Sequence, residues 1–311
     1  MHTKKKGYLV TGAAGFVGSC LVRRLVAERK SVHIIVKKNS SLWRIRDILP
    51  RVSVHCVDLS KPSEVSKSME LIRPDIIYHL ATYGAYPSQD DIGQCIKTNI
   101  EGTWNLLKAT LHLDYELLVN TGSSSEYGSK NSPMKESDSL APCSNYAVTK
   151  CAQTLLCSHV AKEHKKPIVT LRPFSVYGPY EDKNRFIPTL LKNLYFRRVM
   201  NLVAPDITRD WLYVDDMVSA YFLLPALKKY PGEVFNVGTG TQATIREVTE
   251  SAIKVAGVST RLRWCGMKNR KWDTTCWVAD ISKTKKLLKW KARVDLDQGL
   301  RYTWKWFLKN G

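Results

Sequence analysis

The sequence predicts an α/β fold in which a doubly wound parallel sheet is followed by a smaller, less regular C-terminal part. Three observations carry that expectation. Strand-like apolar runs alternate with helical patterns through the first half of the chain. The first run opens directly onto the glycine-rich stretch "TGAAGFVGS", Thr11 to Ser19. Beyond residue 173 the alternation loosens, as prolines at 173, 179, 188 and 205 break the pattern into short pieces.

Taken in order, the runs Tyr8–Thr11, Ser31–Val36, Val52–Val57, Ile76–Leu80, Leu117–Asn120 and Ile168–Arg172 read as strands, and 16–29, 62–73, 92–113 and 145–164 as the helices between them. A further strand–glycine unit spans Val234–Gly240, followed by helices near 244–256 and 295–309. A ligand of such a sheet sits at the carboxyl ends of the strands. Gly12, the residues after Val36, Asp58, Ala81-Thr82 and Thr121–Ser125 all fall there. Gly12, Gly15 and Gly18 admit two readings: a sharp turn with close helix–strand packing, or bare N–H groups at a helix start that hold a diphosphate. Their spacing is G-x-x-G-x-x-G rather than the commoner G-x-G-x-x-G. The irregular second half reads as a substrate-binding cap.

At 311 residues, with 44% hydrophobic and 24% charged residues, the chain has the composition of a globular protein with a substantial core. It contains no apolar run of membrane-spanning length, and its start passes into a strand rather than a signal-peptide apolar region, so a cytoplasmic location is expected. Eight cysteines without C-x-x-C pairs predict neither a metal site nor a disulfide framework. The net charge of +20 is spread along the chain in short clusters such as Lys4–Lys6, Lys268–Lys271 and Lys283–Lys289. No arginine-rich arm or RNA-binding aromatic signature accompanies it, so neither a nucleic acid nor a membrane is expected as partner.

The chemistry-bearing element is Tyr146-Ala-Val-Thr-Lys150. Positions i and i+4 share a helix face, which places Lys150 where its charge lowers the phenol pKa of Tyr146. Such a phenol can exchange a proton with a sugar hydroxyl while hydride moves to or from a nicotinamide; the competing reading is that a Tyr–Lys pair at this common helical spacing is structural. Ser123, in "TGSSSEYG", lies 23 residues upstream at a strand end, where its hydroxyl reaches the same substrate oxygen.

With these elements the chain resembles, over nearly its whole length, the extended short-chain dehydrogenase/reductase family, in particular its nucleotide-sugar epimerases, dehydratases and 4-keto reductases. The motifs are the three glycines, "VDL" at 57–59, "HLAT" at 79–82, "TNIEGTWN" at 98–105, "SSSEYG" at 123–128, "YAVTK" at 146–150, "RPFSVYGP" at 172–179, "RDWLYVDD" at 209–216 and "FNVGTG" at 235–240. The resemblance implies a Rossmann-type NAD(P)-binding domain over 1–172 with 211–238, and a nucleotide-sugar-binding domain over 173–210 with 239–311. It assigns the cofactor diphosphate to Gly12, Gly15, Phe16 and Val17, the adenine to Asp58 and Leu59, and the dinucleotide path to Leu80, Ala81, Thr82 and Asn99. Tyr146 becomes the acid/base, Lys150 its tuner and ribose ligand, and Ser123 completes the triad. Arg209, with Arg270 as a second clamp, is assigned to the sugar-nucleotide diphosphate, and a homodimer through helices 92–113 and 145–164 is implied. For Arg209 a salt bridge with Asp210 or Asp215 is the competing reading.

Three departures refine this. The second strand ends in Lys37-Lys38, with Asn39, Ser40 and Arg44 to follow, where NAD-preferring members carry an acid; Lys37 favours the 2′-phosphate of NADP over NAD. Ser124 and Ser125 occupy the positions where dehydratases carry acids, and Glu126, one residue later, is expected to point elsewhere. Ser175 stands where many relatives have Asn near the substrate diphosphate, and Tyr83, Tyr86 and Gln89 fall on a loop that often faces the sugar. The expected activity is therefore NADPH-dependent reduction of a nucleotide-linked 4-keto hexose in deoxysugar synthesis, with an NAD-dependent 4-epimerase as the alternative. A 4,6-dehydratase, or a non-catalytic dinucleotide- or RNA-binding protein, ranks below both.

Overall fold

The structure, a computed structural model, describes residues 6–86, 88–270 and 273–310. Lys4, Lys5, Pro87, Lys271 and Trp272, which belong to stretches singled out above, lie outside the described residues. The chain divides into two compact units: Met1–Glu126 with Pro142–Arg172 and Tyr221–Phe235, and Tyr127–Ala141 with Pro173–Ala220 and Asn236–Gly311.

The first unit alternates β1 (Gly7–Thr11), α1 (Phe16–Ala27), β2 (Ser31–Val36), β3 (Ser53–Cys56), α2 (Pro62–Ile72), β4 (Ile76–His79), α3 (Ile92–Cys95), α4 (Gly102–Thr110), β5 (Leu117–Thr121), α5 (Asn145–Glu163) and β6 (Ile168–Pro173). With the strand Val234–Val237 they form a seven-stranded sheet in the order Val234–Val237, β6, β5, β4, β1, β2, β3. β1 pairs in parallel with both β2 and β4, so the strand order reverses between β1 and β4, the place where sheets of this topology take ligands. The central strands are buried on both faces, which is why they read as continuous apolar runs, whereas the edge strand β3 leaves Val54 exposed. One face packs Leu9, Ile35, Ile77 and Leu118 against Val65 and Met69 of α2, Leu106 and Leu107 of α4, and Val160 of α5.

Two local features were not expected from the sequence. Trp43–Arg51 is an unusually long 3₁₀ helix, nine residues, with Pro50 at its penultimate position. The expected helix 92–113 is interrupted by a π-helical stretch, Ile96–Glu101, that carries buried Asn99.

The second unit is built from small pairings: Ser175–Tyr177 with Trp211–Tyr213, Thr208–Arg209 with Ala243–Thr244, and Met200–Asn201 with Leu262–Arg263. Its longer helices are Phe186–Tyr195, Ile245–Ala256 and Leu296–Asn310. Ile245–Ala256 starts with a capping box, Thr244 with Glu247, and ends on left-handed Gly257. Residues 127–141 and 211–220, assigned to the first domain from the sequence, group with this unit. Tyr127 donates its hydroxyl to Asn236 at 2.7 Å, and Met134 exchanges backbone hydrogen bonds with Val278 and Asp280 at 2.9 and 2.8 Å. Asp216 accepts the N–H groups of Arg293 and Val294 at 3.0 and 2.9 Å. Among the described residues no helix is long and apolar enough to cross a membrane.

Close packing at the glycine turn yields a stability prediction. A Cβ on Gly18 would lie 2.2 Å from the carbonyl oxygen of Gly12, a backbone atom that cannot move aside. Gly18→Ala is expected to destabilise the protein by at least about 2 kcal/mol, read as a lowered denaturant midpoint; an unchanged midpoint would contradict this packing.

Candidate active site

The turn after β1 lies at the reversal of strand order. Gly12 has φ +68°, and a Cβ there would come within 2.6 Å of the Leu80–Ala81 backbone. Packing therefore accounts for Gly12 and Gly18 by themselves. Gly15 differs: it is exposed, it is the N-cap of α1 without a side-chain cap, and no acid occupies the first turn beside half-buried Phe16 and Val17. The result is a helix start whose N–H groups and dipole suit an anion such as a dinucleotide diphosphate.

Around this turn the expected adenosine-binding residues have partners. Asp58 accepts both the N–H and the hydroxyl of Ser60, at 3.0 and 2.8 Å, and Lys37 lies 3.6 Å away. Burial pushes the Asp58 carboxyl up, yet Ser60 and the Lys37 charge outweigh it and hold it below its ordinary range. Lys37 is thus already next to a carboxylate, while remaining half exposed. Arg44, at the edge of the same turn, donates to the Ala14 carbonyl at 3.4 Å. Leu59 accepts from Asn105 through its carbonyl at 2.9 Å.

At the end of β4 a hydrogen-bonded chain runs Thr11–His79–Thr103, with contacts of 2.7 and 2.9 Å. Burial, reinforced by the charge of Lys150, pushes His79 down to about 3, so it is a neutral connector. Asn99 accepts from Thr82 Oγ1 and the Tyr83 N–H at 3.1 and 2.8 Å and donates to the Tyr83 carbonyl and Thr149 Oγ1 at 2.8 and 2.9 Å. Asn99 thereby ties the loop after β4 to α5, and the π-helical stretch presents it there. Gly84 was missed from the sequence: with φ +95°, it packs so closely that a Cβ would lie 3.3 Å from Cβ of Tyr146. Its N–H donates to Gln89 Oε1 at 3.2 Å, so Gln89 braces this loop from within.

Ser123 follows β5, and α5 carries Tyr146 in its first turn and Lys150 one turn later, after the Ser144 N-cap. Ser123 Oγ accepts the Ser125 N–H at 3.2 Å, which leaves its own proton available for donation. Lys150 Nζ donates to the Thr121 carbonyl at 2.5 Å and to Gln153 Oε1. Burial pushes Lys150 down to about 8, against the opposing pull of Glu126 and Cys157. Glu126 points into the interior, where it accepts the Ser123 N–H and pairs with Arg172, each at 2.7 Å. Sequence reasoning placed Glu126 away from the catalytic residues; its contact with the Ser123 backbone went unforeseen.

In the second unit Arg209 binds Asp273 at 2.6 Å, donates to the Thr208 carbonyl and stacks 5.2 Å from the Trp277 ring. Asp210 does not pair with it. Its carboxylate accepts N–H groups of Thr239, Gly240 and Ala279 instead. The Arg270 backbone N–H meets the other Asp273 oxygen at 2.8 Å, and its charge acts on Arg209. Asp273 thus accepts the Arg209 guanidinium with one oxygen and the Arg270 backbone N–H with the other. Ser175 lies on the strand paired with Trp211–Tyr213 and donates its N–H to the Asp210 carbonyl at 3.0 Å.

Buried Lys150 has a measurable thermodynamic consequence. An unfolded lysine keeps its proton to about pH 10.5, whereas this one loses it near 8, so the native state holds fewer protons between those values and stability rises with pH there. Below about pH 8 the buried ammonium costs on the order of 3 kcal/mol. Lys150→Met is expected to be more stable than the parent at pH 7, with the advantage shrinking toward pH 10 in pH-resolved thermal denaturation; a pH-independent difference would refute it.

The model of the NAD dependent epimerase/dehydratase family matches residues 8–238. Over 315 residues the chain is 27% identical to the UDP-glucuronate 4-epimerase of Thermodesulfobacterium geofontis, covering 97% of this chain and 96% of the relative. It is 26% identical to the dTDP-glucose 4,6-dehydratase of Haemophilus influenzae, covering 97% and 98%. Among solved structures, UDP-glucuronic acid 4-epimerase from Bacillus cereus in complex with UDP-glucuronic acid and NAD superposes with a TM-score of 0.85 at 29% identity, covering 97% of this chain and 99% of that one. None of these relatives speaks for the NADP preference expected from Lys37. With its glycine turn, strand-end serine and Tyr–Lys helix in family order along a Rossmann-type sheet, the chain is an enzyme of the NAD dependent epimerase/dehydratase family.

Proposed function

We propose that the protein is an NAD-dependent nucleotide-sugar 4-epimerase, acting by reversible hydride transfer at C4 of a nucleotide-diphosphate hexose. The observation that carries this reading is the set at the end of β5 and the start of α5. Ser123, Tyr146 and Lys150 supply a hydrogen-bond donor, an acid/base and a tuning cation, while the next two positions are hydroxyl residues, Ser124 and Ser125. Elimination of water across C5 and C6 needs an acid and a base there, and those two side chains offer neither at neutral pH. Similarity to 4-epimerases supports the same choice.

A nicotinamide dinucleotide supplies a reversible hydride acceptor, and the uncapped start of α1 suits its diphosphate. Tyr146 takes the proton of the sugar 4-hydroxyl as the C4 hydride leaves, and returns it when hydride comes back to the opposite face. Lys150 stabilises the phenolate charge, and Ser123 donates to the same oxygen. Arg209 and Arg270 take the sugar-nucleotide diphosphate.

NADPH-dependent 4-keto reduction is the second reading, favoured by Lys37 and Arg44 beside the turn that would carry the adenosine half. Tyr146→Phe is expected to lower turnover at least about 10³-fold in either case. The two part on cofactor: the epimerase interconverts a stable sugar nucleotide without added cofactor, and Lys37→Asp leaves it active. Consumption of added NADPH, abolished by Lys37→Asp, would overturn the epimerase.

We further propose a homodimer. Ile92, Ile96 and Trp104 on one helical stretch and Val148 and Leu155 on α5 are exposed apolar residues, 40% to 61% accessible, on elements that pack side by side. Sedimentation should give a dimer that Leu155→Glu dissociates; a monomeric parent protein would refute it.

A further inference from the structure

We propose that buried Glu126, clamped by Arg172, is the positioning residue of the triad: it fixes Ser123 by the backbone amide, and its charge acts on the Lys150 ammonium. The inference rests on the reading of Ser123, Tyr146 and Lys150 given above. It assigns a role to a carboxylate whose place in the sequence suggested none.

The geometry is closed on every side. Glu126 is fully buried, and one oxygen accepts the Ser123 N–H at 2.7 Å. The other meets Arg172 Nη2 at 2.7 Å, and the Arg172 side chain is only 3% exposed. Gly122 leaves room for this carboxylate: a Cβ there would lie 2.7 Å from Glu126 Oε1 and 3.0 Å from Thr170 Cγ2. The Cys151 thiol donates to the Glu126 carbonyl at 3.7 Å. Ser123 is thus held twice, by Glu126 through its N–H and by the Ser125 N–H through its hydroxyl.

The charges around Lys150 point the same way. Burial pushes Cys151 up to about 11 and Cys157 up to about 12, so both are neutral thiols at physiological pH. His79, held down near 3, is a neutral imidazole. Of the two groups that pull the Lys150 value upward, Glu126 and Cys157, Cys157 is a neutral thiol and Glu126 is the one held in an ion pair, with Arg172. Lys150 must stay charged to favour the Tyr146 phenolate, and Tyr146 sits one helical turn away on the same face. Removing the Glu126 charge weakens the ammonium first and the phenolate through it.

The test uses Glu126→Gln and the charge-balanced pair Glu126→Gln with Arg172→Gln, which keeps an acceptor for the Ser123 N–H while removing both buried charges. Tyrosinate absorbance, taken as the difference from a matched Tyr146→Phe protein, reports the Tyr146 phenol without any substrate. Turnover is followed with UDP-glucose and UDP-glucuronic acid. In the folded double variant Tyr146 is expected to ionise about one pH unit higher. Its kcat should fall roughly tenfold or more while KM stays within about twofold. Glu126→Asp keeps the charge but shortens the reach: it should preserve the phenol titration and still lower kcat. A folded double variant with the parent's phenol titration and kcat would overturn the electrostatic role, and an unimpaired Glu126→Asp would overturn the positioning of Ser123. A wild-type protein that leaves both sugar nucleotides unchanged would defeat the proposed function instead, while the phenol shift still decides the role of Glu126.

Discussion

A lysine ammonium buried beneath the end of the fifth strand sets the terms for the groups around it. Lys150 is 2% exposed, and its hydrogen bonds to the Thr121 carbonyl and the Gln153 amide oxygen replace part of the lost hydration. Neither partner carries a charge. The low-dielectric surroundings make Lys150 sensitive to every charge nearby; the same burial, with the Lys150 charge adding to it, keeps His79 neutral. An isolated buried cation is costly, so the interior around it holds a second polar system, Glu126 with Arg172. Buried charges gathered in such a polar knot contribute little to stability.

The glycine turn is the mechanical counterpart of that electrostatic knot. Gly12 lets the chain pass within van der Waals contact of the Leu80–Ala81 backbone, and Gly18 brings α1 down onto Gly12. The reversal of strand order between β1 and β4 is thereby packed without side chains, and the start of α1 faces the carboxyl ends of the strands with its N–H groups uncovered. Packing by itself asks for Gly12 and Gly18, whereas Gly15 leaves the helix start bare, so the two readings of the glycine motif fall on different residues.

The alternation of β and α, the two-sided burial of the central strands and the order of the sequence motifs are local or periodic properties, and they were legible directly. Leu9, Val10, Ile76 and Ile77 read as strand core because both faces of a parallel sheet are covered. The places of Ser123 after a strand and of Tyr146 and Lys150 one turn apart on a helix were legible because they follow from the strand and helix pattern. The π-helical stretch that presents Asn99 was not, since it depends on how one helix packs against its neighbours rather than on the residues within it. The grouping of residues 127–141 with the second unit was hidden for the same reason, being decided by Asn236 about a hundred residues away.

What the sequence by itself determined is the class of fold, the glycine turn and the one-turn spacing of Tyr146 and Lys150, because each follows from backbone sterics and helical or strand periodicity over a few residues. What only the tertiary structure decided is the partner of each charge. Arg209 meets Asp273 and not its neighbour Asp210, Lys37 stands beside Asp58, and Glu126 turns inward to Arg172 and the Ser123 amide. Charge pairing acts through space over a few ångströms, and sequence separation says nothing about which opposite charge the folded chain will bring within that range.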